Sequence, residues 1–280
     1  MSNSFYHERY YLTKEQREII EPLLPAPKSI GRPGLNPLTV FNAILWILSS
    51  GAAWRDLPTQ FGNWNSIYHK FRKWCADDVF ENILQALVAD TEKYLLVQID
   101  STFCKVHQHA AGARKKYGNQ AIGVSRGGKT TKIHALVTEN FQLIGLLLTG
   151  GQIHDSQCAT ELLSKVKLEG KKVLGDKAFC SARIRDFIQA QGGRVCIPDK
   201  TNSLIKHDFD KELYKARNVV ERFFLRIKNR RHIATRYDKL AVCFLNFVLL
   251  ASIMLQLYRL PTLSRAIHFV RTKIARLYFS

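Results

Sequence analysis

Acid is what this chain lacks most. Its 280 residues hold 23 Asp and Glu against 42 Lys and Arg, a formal charge of +19 with a pI near 9.8. From Lys105 to Lys132 there is no acid beside seven Lys or Arg, and Lys215 to Lys239 sets nine against Glu221 and Asp238. A balance this one-sided excludes basic partners and points to a polyanion, nucleic acid ahead of an anionic membrane. Paired cysteines are also missing. Cys75, Cys104, Cys158, Cys180, Cys196 and Cys243 are scattered with no Cys-x2-Cys. Cys104-x2-His107-x-His109 falls short of the four firmly spaced ligands of a structural zinc site. No secretory signal pattern opens the sequence, so free thiols in a reducing cytoplasm are expected. Long apolar runs are scarce too. The one candidate, Ala241 to Tyr258, holds Asn246 and Gln256 and has 18 residues, the short limit for a span. A helix buried against a sheet is expected there, and no membrane. Apolar content of 46% supports a sizeable core and excludes global disorder.

Punctuation divides the chain. Thr13-x-x-Gln16 is a capping box opening a helix to Leu24, ended by Pro22, Pro25 and Pro27. Asn36-Pro37 starts a helix to Ser50. Trp64 to Cys75 alternates aromatics with cations at helical spacing, and another amphipathic helix runs from about Asp77 to Glu92. Short helices joined by tight turns, one of them basic, fit a helix-turn-helix-like module. Its recognition helix would turn Asn65, Ser66, His69, Arg72 and Lys73 outward. Beyond Tyr94 strands appear: Leu95 to Asp100, Lys132 to Val137, Leu143 to Leu148, Lys172 to Asp176 and Arg194 to Ile197. Helices are read at Asp155 to Val166, at Arg183 to Gln191, and at Asp210 to His232; Asp155 is read as the cap of the first ahead of the alternative that His154 and Asp155 support the site from behind. That order implies an α/β domain with a mixed sheet. The expected division is a helical DNA-binding domain at 1–92, a catalytic domain at 93–260 and a basic tail at 261–280.

Two strands end in carboxylates, Asp100 and Asp176, and a third acid, Glu221, sits on a helix. Three carboxylates in one place repel one another unless a cation lies among them. Oxygen-only ligands select Mg²⁺ or Mn²⁺. Two such ions, about 4 Å apart, clamp the attacking and leaving oxygens of an in-line phosphoryl displacement. Around Glu221 the spacing Tyr214-x2-Arg217-x3-Glu221-x6-Lys228 puts all four side chains within an arc of about 60° on a continuous helix. Such a stripe suits a site that holds a metal ion and a phosphate together. A decoy also occurs: Gly123-x4-Gly128-Lys129-Thr130 matches a P-loop literally, but a strand rather than a helix is expected after it.

These motifs together resemble the DDE transposases of bacterial insertion sequences, closest to family five, a relative of family four. The residues carrying the likeness are Asp100-Ser101-Thr102, Gly123 to His134, Gly175-Asp176-Lys177-Ala178-Phe179, Tyr214 to Lys228, and Ile233 to Leu240. The resemblance covers roughly residues 10 to 258. It implies a ribonuclease H-like mixed sheet with flanking helices behind the small all-α domain, with Asp100, Asp176 and Glu221 as catalytic acids. Asp100 would bridge two Mg²⁺ or Mn²⁺ ions and the others hold one each. Arg217 and Lys228 would position DNA phosphates or restrain Glu221. Tyr214 would pack or touch DNA, and the basic segment Ser125 to Lys132, with Arg126 and Lys129, would lie along a strand. The partners implied are terminal inverted repeats, target DNA and a second copy of the chain in a dimer or larger assembly. A nuclease of the same fold without strand transfer, and an inactive DNA-binding protein, are the alternatives. Phe179 stands where the family often has Tyr, and Pro261 to Ser280 matches nothing in it.

Overall fold

The computed structural model describes residues 10–26, 34–88, 94–113 and 117–259. The expected basic tail at 261–280 lies outside them, as do residues 31–33 and 114–116. Contacts divide the chain into two compact units, one of residues 88–226 and 235–241, the other of 1–87, 227–234 and 242–280.

The first unit is built on a seven-stranded mixed sheet. Its strands are β1 (Leu96–Val106), β2 (Gly123–Ser125), β3 (Gly128–Thr138), β4 (Leu143–Gly150), β5 (Lys172–Gly175), β6 (Arg194–Cys196) and β7 (Thr235–Arg236). β1, β3 and β4 form an antiparallel meander; β5 lies parallel on the other edge of β1, and β6 parallel on β5. This is the ribonuclease H-like order expected: antiparallel hairpins first, then parallel strands reached through helices. Two helices supply those crossovers, Asp155–Leu163 and Ala182–Ala190. Val97, Ile99 and Leu136 of the sheet pack with Leu162, Leu163, Ile184 and Ile188 of these helices in one core. Because side chains alternate on a strand, that face takes the odd residues of β1 and leaves Gln98 and Asp100 to the other. The P-loop match falls on the β2–β3 hairpin, and a strand follows it.

Between β6 and β7 the expected long helix from Asp210 to His232 is broken. It comprises Lys211–Tyr214, a 3₁₀ turn at Lys215–Arg217, Asn218–Lys228 and Arg231–Ala234. The buried Gln98 side chain accepts the Val220 N–H at 3.2 Å. An unbroken α-helix would have given that donor to the Ala216 carbonyl. The 3₁₀ turn advances about 120° per residue, so the four-residue stripe does not run down one straight helix. A second difference lies at Asp155. The helix N-cap is His154, whose ring nitrogen accepts the Ser156 N–H at 3.3 Å, and the Asp155 carboxylate turns to Ser101 instead.

The second unit is all-helical. It holds α1 (Lys14–Ile20), α2 (Pro37–Ser50), α3 (Trp64–Ala76) and α4 (Val79–Leu87). The Thr13–Gln16 capping box is formed, and Asn36 and Asn63 cap α2 and α3. Gly51 ends α2 in the left-handed region at φ 69°, and a Cβ there would sit 2.8 Å from the Arg231 Cβ, so glycine is required twice over. Helices α3 and α4 meet across the two-residue turn Asp77–Asp78, whereas 13 residues containing two 3₁₀ turns separate α2 from α3. The apolar run forms Ala241–Leu257, and its buried side chains join these helices rather than the sheet. Phe247 stacks 4.7 Å from Phe71 and 4.1 Å from His232. A helix apolar on every side must be enclosed all round, and aromatic side chains here complete the enclosure. Among the described residues no helix is long and apolar enough to cross a membrane.

Numbered in chain order, the remaining helices are α5 (Asp155–Leu163), α6 (Ala182–Ala190), α7 (Lys211–Tyr214), α8 (Asn218–Lys228), α9 (Arg231–Ala234) and α10 (Ala241–Leu257). The loop from β6 to α7 is tied down by Asp199. It accepts hydrogen bonds from Arg185 of α6 at 2.8 Å, Cys180 Sγ at 3.2 Å and the backbone and ring of His207. The His207 N–H first, then the other donors and the Arg185 charge, hold its carboxyl well below the usual carboxylate range. A depressed folded-state value gives stability that is present above the unfolded value, about 4, and lost as pH falls below it. Urea unfolding of Asp199→Ala should therefore show a destabilised protein at pH 7, with the gap to wild type closing as both are taken to pH 2.

Candidate active site

The edge of β1 facing β5 is interrupted. Leu95 gives its carbonyl to Lys172, and His107 takes the Arg236 carbonyl, so odd residues of β1 turn their backbone groups to this edge. Pairing with β5 ends at Ile99–Gly175, and pairing with β7 begins at Lys105–Thr235. Between them the edge has no partner strand among the described residues. Asp100 is the first residue of that gap, and Asp176 follows directly on the last residue of β5. Gly175 lets the two strands close up there: a Cβ would lie 3.0 Å from Ile99 Cγ2. Asp176 caps the 3₁₀ turn Lys177–Phe179 by accepting the Ala178 N–H at 2.9 Å. Gln98, on the same face as Asp100, holds the first turn of α8, where Glu221 is the next residue after Val220.

Arg217 joins two of the acids. Its Nη1 lies 3.2 Å from Asp100 Oδ2, and its Nη2 is hydrogen-bonded to Glu221 Oε1. The remaining Asp100 oxygen accepts the Ser101 N–H at 2.7 Å. Burial raises the Asp100 carboxyl to about 6; the Ser101 N–H and Arg217 oppose the rise, and the Asp176 and Glu221 charges add to it. Tyr214 stacks its ring 5.7 Å from the Arg217 guanidinium, and burial holds its phenol above the ordinary value. Even with α7 and α8 separated by the 3₁₀ turn, Tyr214, Arg217 and Glu221 therefore still meet. Lys228 lies two turns further along α8 and is half-buried.

Carboxylates are the donors a hard divalent cation takes, and the Asp176 and Glu221 charges add to the burial that raises Asp100. Among the described residues no group of three His, Cys, Asp or Glu side chains is arranged to hold a metal ion. Asp100 and Glu221 are turned onto Arg217, so a metal there would have to share or displace its guanidinium.

The other expected residues lie apart from this edge. Arg126 and Lys129 are exposed on the β2–β3 hairpin, but Lys132, expected in the same DNA-facing segment, is buried. Its Nζ bonds the Ile153 carbonyl at 2.7 Å and Asp155 at 3.0 Å. On α3, Asn65, Ser66, His69 and Lys73 are exposed, Lys73 pairing with Asp77 at 2.9 Å. Arg72 is half-buried over the Tyr68 ring. Gln98 and the contacts that join Asp155 to Ser101 and Lys132 escape the sequence reading. A glutamine inside an apolar strand, and Lys132 and His134 two apart on another, are the available signals.

Comparison with known proteins identifies the family. Residues 91–255 match the family model described as "Transposase DDE domain", and residues 12–84 match "Putative transposase of IS4/5 family". A "Putative transposase for insertion sequence element IS6501" of Brucella ovis is 37% identical over 134 residues, 46% of this chain and 98% of that protein. An uncharacterized protein, y4sN, of Sinorhizobium fredii is 34% identical over 39% of this chain and 87% of its own length. Among solved structures, a Mos1 transposase paired-end complex with left transposon end aligns with 79% of this chain and 82% of that one. Its identity of 12% and TM-score of 0.27 are too low to transfer any role.

The Asp100 value of about 6 lies above the ordinary 3.8. The charged carboxylate thus costs the metal-free fold stability above pH 6 and nothing below 3.8. Asp100→Asn should stabilise the metal-free protein by about 1–2 kcal/mol at pH 8, a gain that vanishes near pH 3.5 in urea titrations.

Proposed function

The chain belongs to the transposase DDE domain family, and on that premise we propose that Asp100, Asp176 and Glu221 are its catalytic acids. The reaction is hydrolysis of phosphodiesters at the terminal inverted repeats of a DNA element, followed by joining of the freed 3′-hydroxyl ends to target DNA. The observation that carries this reading is the Arg217 bridge between Asp100 and Glu221 at a gap in the sheet edge that Asp176 borders.

The three carboxylates would hold Mg²⁺ or Mn²⁺, which supplies Lewis-acid activation of the phosphate and of the attacking hydroxyl. The chain's own residues do the rest. Arg217 is partly exposed and planar, so on DNA its fork can pass from the carboxylates to a phosphate bidentately. Away from DNA it neutralises two acids that would otherwise repel. Ser101 keeps one Asp100 oxygen oriented by its N–H. Tyr214 packs on Arg217 and limits where the guanidinium can swing. Lys228 would add a phosphate contact along α8, and Arg126 and Lys129 another from the hairpin tip. On the helical unit, Asn65, His69, Arg72 and Lys73 of α3 would read or grip the repeats. Both element ends must be cut in register, which calls for a homodimer or larger assembly on DNA.

Incubation of pre-cleaved repeat ends with a plasmid and Mg²⁺ should yield joined product. Hydrolysis without joining would favour a nuclease, and neither activity a DNA-binding protein. Alanine at Asp100, Asp176 or Glu221 should each reduce cleavage by at least about a thousandfold, the scale of losing a charge-stabilising group at the reacting centre, with repeat binding retained. Alanine at Arg72 and Lys73 together should do the opposite. Repeat binding should weaken and its log–log salt slope should fall by about one to two, with the fold intact.

A further inference from the structure

On the sheet face away from Asp100 lies a polar cluster that the catalytic reading leaves unused. Ser101 looks to that face, since side chains alternate along β1. Its hydroxyl donates to Asp155 Oδ1 at 2.7 Å. Lys132, with 5% of its side chain exposed, sets its Nζ 3.0 Å from the same carboxylate oxygen. His134 stands opposite Ser101 in the β1–β3 ladder, its Nδ1 3.7 Å from Asp155 Oδ1 and its Nε2 2.8 Å from Thr149 Oγ1. Burial holds this imidazole down to about 4, against the pull of Asp155 and with the help of Lys132. It is therefore neutral, and among the described residues Lys132 is the counter-ion of Asp155.

Ser101 carries the link through the sheet. Its hydroxyl lies on one face, and its backbone N–H donates to Asp100 Oδ1 at 2.7 Å. That N–H points to the edge where β5 has already ended, so no described strand claims it. The geometry points to Asp155 as a positioning residue. Through Ser101 it fixes the N–H that orients the Asp100 carboxylate, leaving Oδ2 turned to the site. A stability role alone is a weak account of an ion pair whose lysine is buried and whose carboxylate is largely so, with 19% of the Asp155 side chain exposed. Desolvation of both charges consumes much of what their attraction returns, and apolar replacements of such pairs are often no less stable. Reached through Ser101, which adjoins the proposed metal ligand Asp100, the pair fits the kind of partner that orients metal-binding carboxylates. Lys132 requires a charged partner, and the Asp155 oxygen shared with Ser101 thereby stays fixed.

This inference rests on the proposed metal-dependent reaction, and its test separates the two. Mn²⁺ binding to the DNA-free full chain would be followed by electron paramagnetic resonance of the free ion, beside the Mg²⁺ dependence of repeat cleavage. Thermal melts would report folding. Asp155→Ala removes both the counter-charge of Lys132 and the oxygen that accepts from Ser101, and risks the fold; Asp155→Asn removes the charge but keeps an oxygen in place, so the decisive variants are Ser101→Ala, Ser101→Thr and, where melts show it folded, Asp155→Asn. Ser101→Ala should bind Mn²⁺ about tenfold more weakly and need correspondingly more Mg²⁺ for cleavage. Ser101→Thr, which keeps the hydroxyl, should stay within about twofold of wild type, a fraction of that loss. The Ser101→Ala/Asp155→Asn double variant should bind no more weakly than the weaker single one, because both break one chain of contacts. Wild-type Mn²⁺ affinity in folded Ser101→Ala, or losses that multiply in the double variant, overturns the positioning role. A wild-type protein that binds no Mn²⁺ and cleaves nothing overturns the metal-dependent reading, and this role with it.

Discussion

The site depends on a sheet edge that two short strands fail to close. β5 stops at Gly175 and β7 starts at Thr235, and β1 runs past both. Backbone donors on an unpaired edge must find side chains, ligands or water. Here the Ser101 N–H finds the Asp100 carboxylate. The end of β5 delivers Asp176 to the margin of the same gap, and the Gln98 amide on β1 fixes the first turn of the helix bearing Glu221. Two more residues of β5 pairing in the same register would claim that edge, and with it the backbone groups of Ser101.

Electrostatics then follow from geometry. The chain is strongly basic overall, yet its most informative residues are acids. Burial raises the Asp100 carboxyl, and only Arg217 among the side chains acting on it lowers that cost. Arg217 thus serves a metal-free state, holding two acids of the edge without joining them to each other. The Lys132–Asp155 pair behind the sheet is different: its lysine is buried, and its partly buried carboxylate also accepts from one serine. One cation is partly exposed at the sheet edge, and the other is locked into the scaffold.

Much of this is legible in the residues themselves. The apolar run before Asp176 marks a strand with an acid just past its end, whereas β1 continues six residues beyond Asp100, so that acid lies inside a strand and not at its end as expected. Capping residues at Thr13 and Asn36 begin helices where expected. The spacing from Tyr214 to Lys228 suggests one helix, and the meeting of Arg217 with Glu221 that it implies is present. The break at Lys215–Arg217 is not legible, because the residues there have ordinary helix propensity and the cause, Gln98, lies 122 residues away from Val220 along the chain. Asp155 resembles a helix cap for the same reason: local sequence offers a capping role, and only Ser101 and Lys132 in space offer a better one. The run from Ala241 announces burial but not its partners, since an apolar surface carries no address.

By itself the sequence determined the alternation that puts Asp100 and Gln98 on one face of β1 and Ser101 on the other. It also determined the identity of the acids, the family they belong to and the excess of positive charge. Those properties are local or compositional, set by a residue's neighbours and by covalent geometry. Tertiary structure alone decided that Arg217 bridges two acids, that Lys132 is a buried counter-ion rather than a surface cation, and that the helix before Glu221 is broken. Each of these depends on a contact between residues far apart in the chain, whose strength comes from desolvation and hydrogen-bond geometry that only folding creates.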